Sequence, residues 1–494
     1  MKKPTSLTIA MAAPEALPYA KSGGLADVAG ALPPHLARLG HRVLLFVPYY
    51  RETRVRFPHL PRAHHPLDLS FPGHDVRVEI LRHEPFPGVS VLLVRDDEAF
   101  DRARLYGTPD GDYWDNAGRF ALFCRAVLAS LQALGERPDV VHAHDWQTAL
   151  LPLYLNHRAD FAGPLAGTPS LITVHNLAYQ GIFPPAAMAY AGIPDRLFDP
   201  RGVEFYGMLN LLKGGLLYAD AITTVSRHYS EEIRTPAFGE RLDGVLRDRA
   251  PAIHGILNGV DLEVWNPETD PFLPARYSAA APAGKARCKE ALLRAFGLDA
   301  DPAAPLFGTI SRLADQKGLD LIVAALPALV DSGLRYCILG SGDRRYEDLL
   351  LAMARSYPGR FAVRIGYDEP LAHLIEAGAD CYLMPSRFEP CGLNQMYSLL
   401  YGTIPVVRAV GGLADTVERY DPVSGKGTGF VFPEYDVEGL LRAVREALAM
   451  FAQPRDWSRL RANAMAADFS WEGPAHRYAD LYRSLALGAG SRRG

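Results

Sequence analysis

The chain of 494 residues is too long for one hydrophobic core, so two large domains are expected. Its hydrophobic content of 48% is that of an ordinary globular protein. The 52 basic and 56 acidic residues give a net charge of −4, which offers no sign of a surface for nucleic acid or a membrane.

The cysteines and the apolar runs bear on the compartment. Five cysteines without C-x-x-C spacing suggest reduced thiols in a cytoplasmic protein. The apolar run from Leu7 to Ala13 is short and is followed by Pro and Glu, so we interpret it as a buried strand and not as a signal peptide. No uninterrupted apolar stretch is long enough to cross a membrane. We therefore expect a cytoplasmic protein with no membrane partner.

The first half begins with a strand–loop–helix–strand unit. A predicted strand, Leu7–Ala13, leads through a glycine-rich loop to a helix pattern at Leu25–Leu39 and a strand at Val43–Val47. This order is typical of a doubly wound α/β domain. Further predicted elements are Val76–Leu81, Val89–Val94, a helix at Asn116–Leu134, and strands at Val140–His144, Leu171–Val174, Ala221–Val225 and Ile253–Leu257.

The second half repeats the alternation of strands and helices, which indicates another parallel sheet. Its predicted strands are Leu306–Ile310, Tyr336–Leu339, Ala362–Ile365, Cys381–Met384 and Ile404–Val407. Two α/β domains that face each other would form a cleft, the usual place for a ligand.

Three segments suit the binding of an anion at strand ends. Lys21 and the following Ser-Gly-Gly precede the first helix, whose N-terminus carries partial positive charge. Arg312 follows a strand, Lys317 lies five positions further on, and two fixed cations suit a diphosphate. Gly411 and Gly412 follow another strand and precede a helix pattern. Each segment alone also fits an ordinary surface turn.

Glu389 stands in a tight connection between the strand Cys381–Met384 and a helix pattern from Leu393 to Tyr401. Ligands of open parallel sheets collect where strands end and helices begin, so Glu389 is well placed to touch one. Cys391, two positions on, fits either a nucleophile or a structural residue, and we favour the structural interpretation.

Histidines end two strands of the first half, at His142, His144 and His175. Three histidines can bind zinc, but we favour a sugar site lined by polar and aromatic groups over a metal site. Asp110 and Asp112 resemble the D-x-D motif that holds a metal in some glycosyltransferases, and we interpret them as a loop. No metal is predicted.

Seven motifs occur in an order that resembles bacterial glycogen synthase, the relative of plant starch synthase that uses ADP-glucose. The resemblance runs from about Leu7 to about Arg483. The motifs are Lys21–Val28, His142–Trp146, Thr173–Gly181, Asn258–Asp261, Ser311–Leu313 with Lys317–Gly318, Pro385–Leu393, and Gly411–Val417.

This resemblance implies the GT-B architecture, an α/β fold of two Rossmann-like doubly wound parallel-sheet domains with a cleft between them. The implied segments are an acceptor-side domain at 1–256, a nucleotide-sugar domain at 257–469, and a C-terminal helix at 470–494 that crosses back to the first domain. It also implies retaining transfer of glucose from ADP-glucose to the non-reducing end of an α-1,4-glucan, with no cofactor or metal.

The resemblance also assigns roles to individual residues. Catalytic roles fall to His175, Arg312, Lys317 and Glu389, of which Arg312 and Lys317 would bind the diphosphate together with Lys21. Tyr367 would lie on adenine. The remaining substrate-binding positions are Gly23, Gly24, Asp27, Asp145, Trp146, Asn176, Asn258, Cys391, Gly392, Gly411, Gly412, Leu413 and Thr416.

The chain departs from related retaining transferases at one position. They carry a second Glu eight positions after the first, where this chain has Tyr397, and this weakens a mechanism with two carboxylates. Other readings stay open: a transferase that uses UDP-glucose or forms maltose phosphate, a nucleotide-sugar epimerase, a phosphorylase with a pyridoxal cofactor, and a silent glucan-binding protein. The oligomeric state is not predicted.

Overall fold

The computed structural model describes residues 6–108, 111–158 and 162–492. The chain divides into two compact units, Met1–Gly259 with Trp471–Gly494, and Val260–Ser470. The boundaries between the units therefore fall at 259/260 and 470/471. The sequence analysis placed them at 256/257 and 469/470. Asp110 lies outside the described residues, and Gly111–Asp112 pairs with Gly107–Thr108 as a short antiparallel hairpin.

The first unit is built on a nine-stranded sheet within the described residues. Seven neighbouring strands are parallel, and the last two pair antiparallel at one edge. The spatial order is Ile253–Gly255, Ala221–Thr224, Ser170–Val174, Val140–His144, Thr8–Ala12, Arg42–Pro48, Val89–Arg95, His74–Phe86 and Leu67–Phe71.

Both faces of the central strands of this sheet are buried, because alternate residues of these strands enter different hydrophobic clusters. Ala10 and Phe46 belong to one cluster, while Ile9 and Val47 belong to the other. A sheet covered on both faces explains the nearly continuous apolar runs of its strands. The α-helices of the unit are Gly24–Arg38, Arg51–Arg56, Asp97–Phe100, Asn116–Ala133, Leu150–His157, Ala187–Ala191, Leu211–Tyr218, Arg227–Glu232, Asp243–Asp248 and Glu472–Arg492.

The C-terminal helix, Glu472–Arg492, belongs to the first unit although it follows the second in sequence. Tyr478 and Tyr482 on this helix, and Trp471 just before it, are almost completely buried in one of the two core clusters. The Tyr482 hydroxyl lies 2.8 Å from Nδ1 of His142 on a central strand. The last helix therefore supplies part of the hydrophobic core on one face of the sheet.

The second unit is built on a six-stranded parallel sheet within the described residues. Its spatial order is Phe361–Ile365, Arg335–Gly342, Leu306–Leu313, Cys381–Met384, Ile404–Arg408 and Phe430–Phe432. Its helices are Ala283–Phe296, Leu319–Asp331, Arg344–Ser356, Glu369–Gly378, Asn394–Leu400, Gly411–Thr416, Val437–Phe451 and Pro454–Met465.

Two local predictions for this unit are wrong. Arg312 does not follow its strand but lies within it, since Leu306–Leu313 pairs through to Gly342 of the neighbouring strand. Gly411 and Gly412 do not precede a helix at Leu413–Arg419; they are the first residues of the helix, which ends at Thr416.

No helix among the described residues is long and apolar enough to cross a membrane.

Candidate active site

Glu389 lies in the connection between the strand Cys381–Met384 and the helix Asn394–Leu400, as predicted. Its side chain is buried, and its Oε2 accepts hydrogen bonds from Lys317 Nζ at 2.6 Å and Ser386 Oγ at 3.0 Å. Two predicted catalytic residues, 72 positions apart, therefore form a partly buried ion pair. Removing either partner would leave the other buried without its counter-charge, which is strongly destabilising for a buried ion pair.

Arg312 lies at the carboxyl end of its strand with an exposed side chain, and its Nη2 is 3.4 Å from Oε1 of Gln316. Gln316 in turn accepts a backbone hydrogen bond from Arg387 at 2.9 Å. Because Gln316 precedes Lys317, these contacts connect both predicted diphosphate-binding cations to the connection that carries Glu389. The two cations and the carboxylate thus lie at the carboxyl ends of two neighbouring parallel strands.

Glycines allow the backbone segments of this site to approach each other. Gly318 has a φ of 70°, and a Cβ there would overlap the carbonyl oxygen of Pro385. The amide of Gly412 donates to the Glu389 carbonyl oxygen at 3.0 Å, and a Cβ on Gly412 would overlap the carbonyl of Cys391. Larger side chains at either position would push the loop of Glu389 away.

Most of the other predicted residues of this unit surround the same loop. Gln395, which was not predicted, donates from Nε2 to the carbonyls of Cys391 and Gly392 and to Oγ1 of Thr416. Thr416 donates to the carbonyl of Gly412 at 2.6 Å. The predicted positions that converge around Glu389 are Cys391, Gly392, Gly411, Gly412, Leu413 and Thr416.

Tyr367 follows the edge strand Phe361–Ile365, and its side chain is 76% exposed. The strand Arg335–Gly342 separates this edge strand from the strand that carries Arg312. An exposed ring at the carboxyl end of the sheet is open to stacking on a flat ligand.

In the first unit, Lys21 forms an ion pair with Asp27 at 2.7 Å, within the turn that starts the helix Gly24–Arg38. Gly23 is the N-cap residue of this helix, and its backbone is extended. The predicted residues Lys21 and Asp27 are thus in direct contact, and the Lys21 ammonium is already partly neutralised.

Glu15 is a buried carboxylate beneath this turn that the sequence analysis did not select. It accepts hydrogen bonds from the amide of Ser22 and, at 3.1 Å, from the Ser22 hydroxyl. Burial raises the pKa of Glu15 to about 7. A single Glu after a buried strand carries no motif, so only its position just beyond the strand could have indicated it.

Asp145 lies just after the strand Val140–His144 with a φ of 57°, which is uncommon outside glycine. Its Oδ1 accepts a hydrogen bond from the amide of His175 at 2.7 Å. Burial raises the pKa of Asp145 to about 8. Trp146, next in sequence, is buried between Phe120 and Phe183, with ring centroids 5.1 and 5.6 Å away.

The three histidines lie side by side, with ring centroids 4.1 Å apart for His142 and His144 and 5.1 Å apart for His144 and His175. Nδ1 of His144 lies 2.8 Å from Nε2 of His175, and Nε2 of His142 lies 2.6 Å from Oγ1 of Thr173. Burial lowers the pKa of His175 to about 3 and those of the other two well below the usual value, so all three rings are neutral at pH 7. Across the described ranges, no group of three or more His, Cys, Asp or Glu side chains is arranged to hold a metal.

Two predicted amide side chains complete the first unit's set. Asn176, after His175, accepts from the amide of Ala178 at 3.1 Å through its own Oδ1. Asn258 is buried, and its Oδ1 has no hydrogen-bond partner among the residues that the structure describes. The structure thus assembles one group of predicted residues around Glu389 and another at the strand ends that carry Asp145 and His175.

Comparisons with known proteins agree with this arrangement. Residues 8–248 match the starch synthase catalytic domain, and residues 295–462 match the glycosyl transferases group 1 family. A glycogen synthase of Koribacter versatilis is 48% identical over 474 residues, which cover 96% of this chain and 97% of the relative. A glycogen synthase of an Anaeromyxobacter species is 50% identical over 481 residues, which cover 97% of this chain and all of the relative.

The solved structures include the catalytic domain of starch synthase IV from Arabidopsis thaliana, bound to ADP and acarbose. It is 32% identical, with a TM-score of 0.87, and the match covers 97% of this chain and 99% of that one. The two parallel-sheet units define a glycosyltransferase of the GT-B class, a hexosyltransferase. Within that class, the chain belongs to the glycogen synthase family.

Proposed function

We propose that this enzyme transfers glucose from ADP-glucose to the non-reducing end of an α-1,4-glucan, with retention of configuration. The observation that carries the proposal is the grouping of Arg312 and Lys317 with Glu389 at one edge of the second unit's sheet. The 32% identical starch synthase IV domain was solved with ADP and acarbose, which supports a nucleotide donor and a glucan-like acceptor.

The reaction breaks the bond between glucose and a diphosphate oxygen, which leaves negative charge on ADP and positive charge on the sugar ring. In this proposal Arg312 and Lys317 stabilise the charge on the leaving diphosphate. Cations that are already fixed in place need little reorganisation as the charge develops. We propose that they do this without a metal or other cofactor.

Glu389 then serves the donor glucose. Its Oε2 is occupied by Lys317 and Ser386, which fixes the carboxylate near the loop whose backbone follows it. A fixed carboxylate can accept hydrogen bonds from sugar hydroxyls and stabilise positive charge on the ring. When Lys317 also binds the diphosphate, the same ammonium links the two halves of the donor.

Retention in this proposal does not use a second carboxylate. The position eight residues after Glu389 is Tyr397, whose side chain is buried and stacked on Trp265 at a centroid distance of 3.9 Å. It therefore offers no nucleophilic carboxylate for a double displacement. We infer attack by the acceptor hydroxyl on the same face from which the diphosphate leaves.

The first unit would bind sugar hydroxyls. His175 uses Nε2 toward His144, so its Nδ1 is the ring nitrogen that remains for a ligand. A neutral imidazole can form a hydrogen bond with a hydroxyl. At pH 7, however, the ring is not the imidazolium cation that could act as a general acid. Asn258 is assigned to the sugar site by its motif alone, because its Oδ1 is buried in this structure. The buried cysteines, none of which forms a disulfide, are compatible with a reducing cytoplasmic setting.

The test is a comparison of donors. Purified enzyme is incubated with glycogen and radiolabelled ADP-glucose or UDP-glucose, with and without EDTA, and label in the polymer is counted. We expect incorporation from ADP-glucose to exceed that from UDP-glucose and to persist in EDTA. A preference for UDP-glucose supports the alternative donor. Release of an isomerised nucleotide sugar as the product of a parallel incubation without acceptor supports the epimerase, and no incorporation from either donor overturns the proposal.

A further inference from the structure

The hairpin that ends the small antiparallel sheet of the first unit presents an exposed aromatic ring. The sheet consists of Ile182–Phe183, Met208–Asn210 and Glu204–Phe205. Tyr206 at the turn is 72% exposed and has a φ of 52°. Two-residue hairpin turns with left-handed residues favour Asn or Gly, and a bulky residue there is costly. The geometry of the turn therefore does not explain why a Tyr occupies this position.

The Tyr206 ring is held in place by its neighbours. The ring of Phe205 meets it edge-on at 4.9 Å, and the guanidinium of Arg241 lies 5.3 Å from its centroid. Arg241 and Glu240 also have left-handed φ values, 66° and 47°. Strained residues of this kind persist only when the surrounding structure holds them, and they concentrate at ligand sites.

One buried side chain connects the hairpin to the segment of Arg241. Gln180 donates from Nε2 to the carbonyl of Glu240 at 3.0 Å, and its Oε1 accepts from Nδ2 of Asn210 at 2.6 Å. Asn210 ends a strand of the hairpin. The ring and the guanidinium that covers part of it are therefore positioned by a single hydrogen-bonded network and not by independent flexible loops.

The same sheet contacts Trp146, one of the residues assigned to substrate binding. Phe183 on its outer strand lies 5.6 Å from Trp146, and the carbonyl of Gly181 accepts from the amide of Leu211. Asp145, the fourth non-glycine residue with a left-handed φ in the described part of the chain, adjoins Trp146. Ile182 on this sheet is about half exposed, at 46%.

We propose that Tyr206, supported by Arg241, is a stacking platform on the first unit for an α-glucan chain. An exposed aromatic ring offers an apolar face to the C–H face of a glucose unit, and a guanidinium donates hydrogen bonds to its hydroxyls. The inference rests on the proposed function, because it assumes a glucan acceptor. It adds a contact that would favour long acceptors over short ones.

The test removes the ring and keeps the turn. Tyr206→Asn suits a left-handed φ, Tyr206→Phe keeps the stacking face, and Tyr190→Asn removes a similarly exposed tyrosine on the helix Ala187–Ala191. Each variant is checked by thermal unfolding. Its dissociation constant for glycogen is then measured by retardation in native gels that contain the polymer, and KM values are measured for glycogen and ADP-glucose.

We expect Tyr206→Asn to weaken glycogen binding about five- to tenfold, as the loss of one stacking contact implies. The KM for glycogen should rise, the KM for ADP-glucose should stay constant, and Tyr206→Phe and Tyr190→Asn should bind like the wild type. Unchanged binding by Tyr206→Asn, or equal weakening by Tyr190→Asn, overturns the inference. If Tyr206→Asn does not fold, Tyr206→Gly carries the same test.

The gel measurement separates this inference from the proposed function, since retardation by glycogen needs no turnover. A wild-type enzyme that binds glycogen through Tyr206 but transfers nothing from ADP-glucose contradicts the proposed function alone. An active enzyme whose glycogen affinity does not depend on Tyr206 contradicts the inference alone.

Discussion

At the scale of single residues, charged side chains that the sequence predicted to bind a ligand form ion pairs with one another. Lys21 pairs with Asp27, and Lys317 pairs with Glu389. The motifs could identify these residues because each stands where a strand gives way to a helix. They could not show the pairing of Lys317 with Glu389, since 72 positions separate the two and only the folded sheet brings them together.

Glu15 is the clearest omission at this scale. Its importance comes from burial and from its contact with Ser22, and neither property is visible in a sequence where it is one Glu among many. Asp145 was selected through the resemblance, yet its backbone contact with His175 and its raised pKa could not be foreseen. The sequence thus predicts which ionisable groups belong to the site better than it predicts which of them are buried.

The burial of Glu15 predicts a pH dependence of stability. Its pKa rises from 4.5 in the unfolded chain to about 7 in the folded protein, so the folded protein binds this proton more tightly. The free energy of unfolding therefore falls as pH rises from about 4.5 to about 7, and the loss is complete above that range. The full loss from this residue is on the order of 3 kcal/mol.

Glu15→Gln should remove that contribution. We expect the difference in free energy of unfolding, variant minus wild type, to be more favourable to the variant at pH 8.5 than at pH 5. Urea unfolding followed by circular dichroism at both pH values measures it. If the difference is the same at the two pH values, burial does not raise the pKa of Glu15.

At the scale of elements, the apolar strands were predicted well where both faces of the sheet are buried. The strand Val140–His144 was predicted with its observed limits, and so was Cys381–Met384. The strand Leu306–Leu313 was predicted three residues short, because Ser311 and Arg312 are polar and interrupt the apolar run. Parallel pairing with the strand Arg335–Gly342 extends it, and that partner is not visible in a local pattern.

The C-terminal helix was predicted from the resemblance, and its contribution to the first unit can be measured at Tyr482. The side chain is completely buried, and its hydroxyl is bonded to His142. Tyr482→Ala should lower the free energy of unfolding by about 3–5 kcal/mol, since it leaves a cavity in the core. Tyr482→Phe should cost only about 1 kcal/mol, the typical value of one hydrogen bond.

Thermal and urea unfolding of the two Tyr482 variants distinguish these effects. Equal costs for Ala and Phe would assign the whole contribution to the hydroxyl. A cost below about 1 kcal/mol for Ala would mean that the helix is not an integral part of the first unit's core.

At the scale of the whole molecule, the sequence predicted the architecture because seven motifs occur in a fixed order along nearly the entire chain. The family matches and the starch synthase structure confirm the predicted GT-B class and hexosyltransferase activity. Composition and periodicity alone indicated only two α/β domains. The roles of the individual residues remain predictions, and the cations of the second unit are the ones on which the account depends most.

The most direct test is the steady-state kinetics of Arg312→Ala and Lys317→Ala with ADP-glucose and glycogen. Arg419→Ala, which alters an exposed arginine paired with Glu446, is the matched control. We predict that each of the first two lowers kcat/KM for ADP-glucose at least 100-fold, about 3 kcal/mol or more of lost transition-state stabilisation. The control should stay near the wild type. A kcat/KM for ADP-glucose within a few-fold of the wild type in folded Arg312→Ala and Lys317→Ala enzymes would contradict the account.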